Sequence, residues 1–432
     1  MSISENKKVK QYLDSVCRLV KNKKVHEIIA EELLCHIEEV VEEYIEQGKA
    51  EDEAIEQAIL QMGSYEDVGK NLNKVHKVAP DWALIVMTAT LILVGIVTLW
   101  TMGKHGDYTL YKRFMSNTIG FSVIGLAIAA IIVKFNYKGL RRFSKYIYIV
   151  TMAACIVIGP ISNVVSGARG WIILGPFSFN IYNIAPFFLI IALAGILEKW
   201  NWNNIKSTLL GLVIVIFPAI LLMFNKSGAS SIIYTVAAIT LMIISGIRIK
   251  NIMISIASIG VIITLMLISH PYRIDRLLTF MEPSKDPDGA GWIYNQLNKI
   301  INSSKLLGNG QEFNFAMLPD VHTDFILTYI IYSFGFIACI ALVTLVLGFI
   351  LRIGFIAKKT KDNYGKLLVG GLCALFAVQF IFNILMNFTL TPALSIGLPF
   401  ISYSGSSVVI NIISISIITS VCKWRNTPCK IG

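Results

Sequence analysis

The chain has 432 residues, 55% of them hydrophobic and 15% charged, with a mean hydropathy of +0.66. That balance excludes a soluble globular protein of this size and describes a polytopic, all-α membrane protein. The net charge of +11 is uneven: residues 1–80 carry 11 Lys/Arg and 16 Asp/Glu, leaving 27 and 11 for the rest. The basic excess therefore belongs to the apolar part, where loops meet lipid headgroups, and no basic stretch interleaved with aromatics points to nucleic acid.

The first 80 residues are too polar for a cleavable signal peptide. "VHEIIAEELLCHIEEVVEEYIEQGK" places Ile29, Leu33, Ile37, Val40, Val41 and Tyr44 on one helical stripe that ends at Gly48. "EDEAIEQAILQMG" repeats the pattern and stops at Gly63; with residues 4–20 this predicts three short packed helices. Residues 1–75 are expected to form a cytoplasmic regulatory or docking domain. The acidic run 38–46 reads as a solvated face, and His26 and His36 as ordinary helix residues. The seven cysteines, Cys17, Cys35, Cys155, Cys339, Cys373, Cys422 and Cys429, are scattered without CxxC or metal spacing, so no disulfide framework is expected.

About 30 Å of hydrocarbon needs roughly 20 apolar residues as a helix. Ten spans are predicted, at 82–102, 115–134, 146–165, 181–198, 206–224, 229–247, 251–269, 324–351, 367–388 and 398–421. The eighth exceeds one crossing and is expected to tilt or protrude. Lys134, Lys138, Arg141, Arg142 and Lys145 fall in one loop, and Arg352, Lys358, Lys359, Lys361 and Lys366 in another of the same parity. By the positive-inside rule these loops and both termini are cytoplasmic, and 166–180 and 270–323 are extracellular. The long outer loop 270–323 carries Trp292, Tyr294, Phe313 and Phe315, which argues for a folded cap.

The spans are poor in charge, which argues against a proton relay. Arg169, Arg273, Arg276, Asp320, His322 and Asp324 gather at the outer surface instead. Guanidinium forks suit a phosphate, and a carboxylate beside them can accept a proton from a sugar hydroxyl. A rim of solvated loop charges is the equally weighted alternative.

Four stretches narrow the choice: "SGARGWIILG" at 166–175, "HPYRIDRLLTFMEPSKDPDGAGW" at 270–292, "LPDVHTDFIL" at 318–327 and "PALSIGLPFISYSGSS" at 392–407. In order and spacing they resemble the SEDS family (shape, elongation, division and sporulation), which includes FtsW, RodA and SpoVE, over about residues 80–425. The resemblance implies a ten-span peptidoglycan glycosyltransferase of the bacterial cytoplasmic membrane. Such an enzyme polymerises lipid II on the outer face, for division, shape or sporulation, with a class B penicillin-binding protein as partner. It implies Asp324 as the essential carboxylate, here the expected general base. It implies Arg169, Arg273, Arg276, His322, Ser402, Tyr403 and Ser406 as substrate-binding residues, with Pro399, Gly405 and Ser407 completing the last signature. A divalent cation, Mg or Mn, is a candidate bridge between Asp324 and pyrophosphate, although no dedicated metal cage is visible.

The chain departs from the family where Asn180, Ile181, Tyr182, Asn183 and Pro186 replace a segment with a charged pair. Lys226 stands near an acidic position, Tyr332 and Ser333 replace an acidic pair, and Ser404 replaces a glycine. These departures keep a second expectation in view, a lipid-linked precursor transporter or a non-catalytic scaffold of a division or sporulation complex. The segment "AILQMGSYEDVGKNLNKVH" resembles a permease-prefix domain.

Overall fold

The computed structural model describes residues 3–75, 80–165, 168–174, 177–225, 227–268, 271–289, 291–310 and 312–425. The chain divides into two compact units, Met1–Pro80 with Cys422–Gly432, and Asp81–Val421.

Among the described residues the first unit holds four α-helices, α1 (Lys7–Leu19), α2 (His26–Glu46), α3 (Glu51–Met62) and α4 (Tyr65–Val75). Val9, Tyr12, Val16, Ile29, Ile37, Val41, Ile55 and Ala58 form its core, and Val68 and Leu72 of α4 pack on it. The sequence reading expected three helices. The fourth starts where the Ser64 hydroxyl accepts the Asp67 amide at 3.1 Å, a Ser-x-x-Asp capping signal that was legible. Gly48 and Gly63 follow α2 and α3 at φ 88° and 85°, as stops that glycine adopts readily.

The second unit is built on ten apolar helices: α5 (Trp82–His105), α6 (Tyr108–Ile132), α7 (Leu140–Ile161), α8 (Ile181–Leu197), α9 (Ile205–Phe224), α10 (Gly228–Ile244), α11 (Ile249–Ile268), α14 (Ile326–Lys359), α15 (Asn363–Asn387) and α16 (Ser406–Trp424). Seven of these are long and apolar enough to cross a membrane; α8, α10 and a stretch of α11 are shorter apolar helices. Polar caps fix the helix starts. Asp81 accepts from Leu84 N, Asp107 from Leu110 N, Asn180 from Tyr182 N and Asp362 from Gly365 N, at 2.7–3.0 Å. Buried almost all round, α8 packs against α7, α10 and α15. Apolar side chains such as Val123, Ile131, Ile149 and Val213 stand about 60% exposed, a surface suited to lipid. The chain is an integral membrane protein.

Three boundaries differ from the sequence reading. The second and third spans begin at Tyr108 and Leu140, so their polar first turns belong to the helices. The last begins at Ser406, because 398–405 is non-helical and Phe400 sits at φ 70°. Rather than running unbroken, the long α14 is interrupted at Gly335, with φ 88° and ψ 173°. The segment 305–309 fills that break. Lys305 and Leu306 carbonyls accept from Phe336 and Ile337 N at 3.2 Å, and Asn309 N donates to Tyr332 O at 3.0 Å. A Cβ at Gly335 would lie 2.2 Å from Leu306 O, so only glycine fits.

Between α7 and α8 the chain forms an antiparallel sheet, β1 (Asn163–Val165), β2 (Ala168–Leu174) and β3 (Phe177–Asn180), in the order β1-β2-β3. Trp171 pairs with Asn180 and Leu174 with Phe177. The sequence pattern predicts only a loop at 166–180. Trp171, Ile172 and Ile173 ahead of a Gly-Pro pair are a hairpin signal that this expectation passes over.

The segment between α11 and α14 contains α12 (Pro271–Met281) and α13 (Trp292–Ser303). Tyr294 and Phe313 are buried. The Tyr294 hydroxyl accepts from Ala393 N at 3.1 Å, and Phe313 meets Phe315, Tyr329 and Tyr332 with ring centroids 5.3 Å apart. The expected cap is therefore anchored by its aromatics.

Candidate functional site

Asp324 lies two residues before α14. The turn that delivers it is set by Asp320, at φ 53°, whose carbonyl accepts from Thr323 N and Asp324 N at 3.0 Å and from Phe325 N at 3.3 Å. Asp and Asn tolerate this backbone region better than most residues. A carboxylate so near a helix start would ordinarily cap it. It does not: the N-cap position is Phe325, with no side-chain cap bond. The free Thr328 N is satisfied from another helix, by Asn387 Oδ1 at 3.1 Å, which also accepts from the Thr328 hydroxyl at 2.7 Å. Among the described residues Asp324 has no ion-pair partner.

Asp324 is half-buried. Burial, with the like charge of Asp320, pushes its carboxyl up to about 7, against a smaller opposing hydrogen bond from Ser395. Burial also pushes the His322 imidazole down, with Asp320 pulling the other way.

The motifs at 318–327 and 392–407 meet here. Tyr403 N donates to His322 O at 2.9 Å, and the buried Ser402 hydroxyl donates to Thr323 O while accepting from Leu398 N at 2.8 Å. Phe114 of α6 stacks on both rings, 4.6 Å from His322 and 4.2 Å from Tyr403. Asn117 donates to the Tyr403 hydroxyl at 3.2 Å. Asp324, His322, Ser402 and Tyr403 thus form one cluster, with Ser402 acting on backbone.

Arg169 and Ser406 stand elsewhere. Arg169 lies on β2 with an exposed side chain, and its carbonyl accepts from Asn180 Nδ2 at 3.0 Å. Among the described residues no hydrogen bond or ion pair joins its guanidinium to Asp324. Arg273 and Arg276 are on α12, but their side chains lie outside the described residues, as do Lys226 and His270 altogether. Ser406 opens α16 and lines a cavity of about 730 Å³ with Phe121, Ile124, Phe143, Ile184 and Phe188. That cavity is apolar and is not at the carboxylate.

The departures from the family pattern have structural uses. Asn180 caps α8, the Tyr182 hydroxyl donates to Cys155 O at 3.3 Å, and Asn183 Oδ1 accepts from the Ser230 hydroxyl at 3.0 Å. Among the described residues no three His, Cys, Asp or Glu side chains come together as a metal cage.

Sequence reasoning missed Asn383 and Asn387, both 0% exposed. Two asparagines four residues apart in an apolar span were the available signal, since buried polar groups at membrane depth are costly. It also missed Ser395, Phe114 and Asn117, which lie far from Asp324 in sequence.

Comparison with known proteins places the chain in a family. The chain is 23% identical over 365 residues to the peptidoglycan glycosyltransferase MrdB of Escherichia coli K12, covering 83% of this chain and 96% of that one. It is 26% identical over 362 residues to the stage V sporulation protein E of Bacillus subtilis, covering 81% and 98%. Its fold matches a chain from the work described as "Structural coordination of polymerization and crosslinking by a peptidoglycan synthase complex", with TM-score 0.68, 20% identity and coverage of 80% and 98%. It also matches the rod shape determining protein RodA of Thermus thermophilus, with TM-score 0.61, 18% identity and coverage of 81% and 98%. The FtsW/RodA/SpoVE family model, described as "Cell cycle protein", matches residues 81–427, and the chain belongs to that family.

Proposed function

We propose that this protein is a peptidoglycan glycosyltransferase that polymerises lipid II, with Asp324 as general base. The observation that carries the reading is a half-buried carboxyl, raised to about 7, that does not cap its helix and, among the described residues, enters no ion pair. Such a group is poised to take a proton near neutral pH. In the proposed step a sugar hydroxyl of one lipid-linked unit attacks the anomeric carbon of another. The new glycosidic C–O bond forms as the bond to the lipid pyrophosphate breaks, and the hydroxyl proton passes to Asp324. General-base assistance of this kind is typically worth about 10²–10⁴-fold.

Arg169, Arg273 and Arg276 are the proposed pyrophosphate ligands, His322 and Tyr403 the proposed sugar-side wall, and Ser402 and Ser406 supports of that wall and of the neighbouring cavity. The apolar cavity beside Ser406 suits the isoprenoid tail of such a substrate. The alternating basic loops favour both termini in the cytoplasm and Asp324 outside the bacterial cytoplasmic membrane. A class B penicillin-binding protein is the proposed partner, supported by the likeness to a chain of a peptidoglycan synthase complex. Residues 1–75 are proposed to regulate or dock. A non-catalytic scaffold is the second reading, favoured by the structural use of Tyr182 and Asn183 where the family pattern has a charged pair.

Purified full-length protein given lipid II tests the proposal. Glycan chains on a gel, absent with Asp324→Asn, are expected. A wild-type protein that makes none under conditions where it is folded favours the scaffold.

A further inference from the structure

A carboxylate just ahead of a helix normally has structural work to do. Its oxygens accept the orphan amides of the first turn, and the macrodipole holds them there. At α14 that work is done by α15. Asn387 Oδ1 takes Thr328 N at 3.1 Å and the Thr328 hydroxyl at 2.7 Å. Asn387 Nδ2 donates to the main-chain carbonyl of Asp324 at 3.2 Å. Asn383 Nδ2 donates to that same carbonyl at 2.9 Å and to Ile396 O at 2.6 Å. The two amides are joined, Asn387 Nδ2 to Asn383 Oδ1 at 3.1 Å. Asn383 therefore pins the backbone of Asp324 and the backbone next to Ser395, the residue whose hydrogen bonding draws the Asp324 carboxyl down against burial.

We infer that Asn383 and Asn387 are positioning residues for Asp324: they cap its helix from α15 and fix its peptide, so that the carboxylate is left free to face substrate. The inference deepens the reading of Asp324 as base and rests on it. Both asparagines are fully buried, so each lost bond leaves a desolvated partner rather than a hydrated one. Without Asn387 the Thr328 amide loses its side-chain acceptor, and the Asp324 carboxylate just ahead of the helix is placed to be recruited as a cap. A carboxylate recruited as a cap turns away from substrate and is stabilised in its ionised form. Among the described residues the charged neighbour of Asp324 is Asp320, and His322 lies two residues before it on the same turn. From α15 and the 392–397 segment the facing groups are the uncharged Asn383, Asn387 and Ser395. Tyr111 and Tyr403 reach His322.

The test is the pH dependence of lipid II polymerisation by the full chain, comparing wild type, Asn383→Ala, Asn387→Ala, Asn387→Asp and Asp324→Asn. Asn387→Ala and Asn383→Ala are expected to lower kcat by about 10- to 100-fold with KM little changed, the loss typical of a misplaced catalytic group. With Asn387→Ala the acidic limb is expected to move to lower pH. Asn387→Asp keeps the acceptor for Thr328, so its limb is expected to move up, because a second carboxylate adds a like charge. A structural role alone would lower the amount of folded protein and leave the limb in place. The inference is overturned if either alanine variant, or Asn387→Asp where alanine prevents folding, shows the wild-type limb and kcat per folded molecule. If Asp324→Asn polymerises at the wild-type rate, the base reading has failed instead. An inactive Asp324→Asn beside unaltered asparagine variants overturns the positioning role alone.

Discussion

Replacing Asp324 by asparagine separates what the carboxylate does for chemistry from what it does for stability. Its carboxyl is pushed from 3.8 up to about 7, chiefly by burial. At about 1.36 kcal/mol per pH unit the gap corresponds to about 4 kcal/mol, a ceiling because the half-buried group keeps some solvent. The sign follows from proton linkage. Between about pH 4 and 7 the folded protein holds a proton on Asp324 that the unfolded chain has released, so stability falls as pH rises through that window. Above 7 the folded protein carries a desolvated charge. Asp324→Asn carries none at any pH and keeps the shape. Thermal unfolding in detergent should therefore show the variant gaining on wild type as pH rises from about 4.5 to about 8. Over the same range wild-type polymerisation should climb through an acidic limb near 7 as the base ionises, while the variant stays inactive. A stability difference independent of pH, or one that shrinks towards alkaline pH, would refute the argument that burial governs this group.

Arg169→Ala should weaken use of lipid II by about 2–5 kcal/mol if the guanidinium holds pyrophosphate, and Arg169→Lys should recover only part, because the fork is lost; steady-state kinetics on both variants decide. Gly335→Ala should cost at least about 1–3 kcal/mol, since φ 88° is strained for alanine and its Cβ would meet the Leu306 carbonyl; an unchanged melting temperature would mean the break is not rigid. Removing residues 1–75 should leave polymerisation intact while altering regulation or docking; a folded but inactive truncation would contradict this. Single cysteines at Asn309 and Lys361 should label from opposite sides of the membrane, and labelling from one side would overturn the proposed topology.

Much of the architecture was legible because burial in lipid demands long apolar runs. The placement of α8 through α11 could be read within a few residues. Helix starts were less legible where amphipathic turns continue an apolar helix, as with Lys112 and Arg113 in α6 and Arg141 in α7. The break in α14 was not legible, because Gly335 is explained only by a segment 26–30 residues earlier that folds back into it. At the site, Asp324, His322, Ser402 and Tyr403 stood out because short contiguous motifs carry them. Asn383, Asn387 and Phe114 did not, because their meaning comes from helices that meet only in three dimensions.

The most direct test of the central claim is a gel of glycan chains made from labelled lipid II by the purified protein in proteoliposomes, with wild type and Asp324→Asn at equal folded amounts. The account expects a ladder of polymers from wild type and unreacted lipid II from the variant. Equal ladders from the two proteins would contradict Asp324 as base, and no ladder from folded wild type, alone or with the proposed class B penicillin-binding protein, would contradict the enzyme itself.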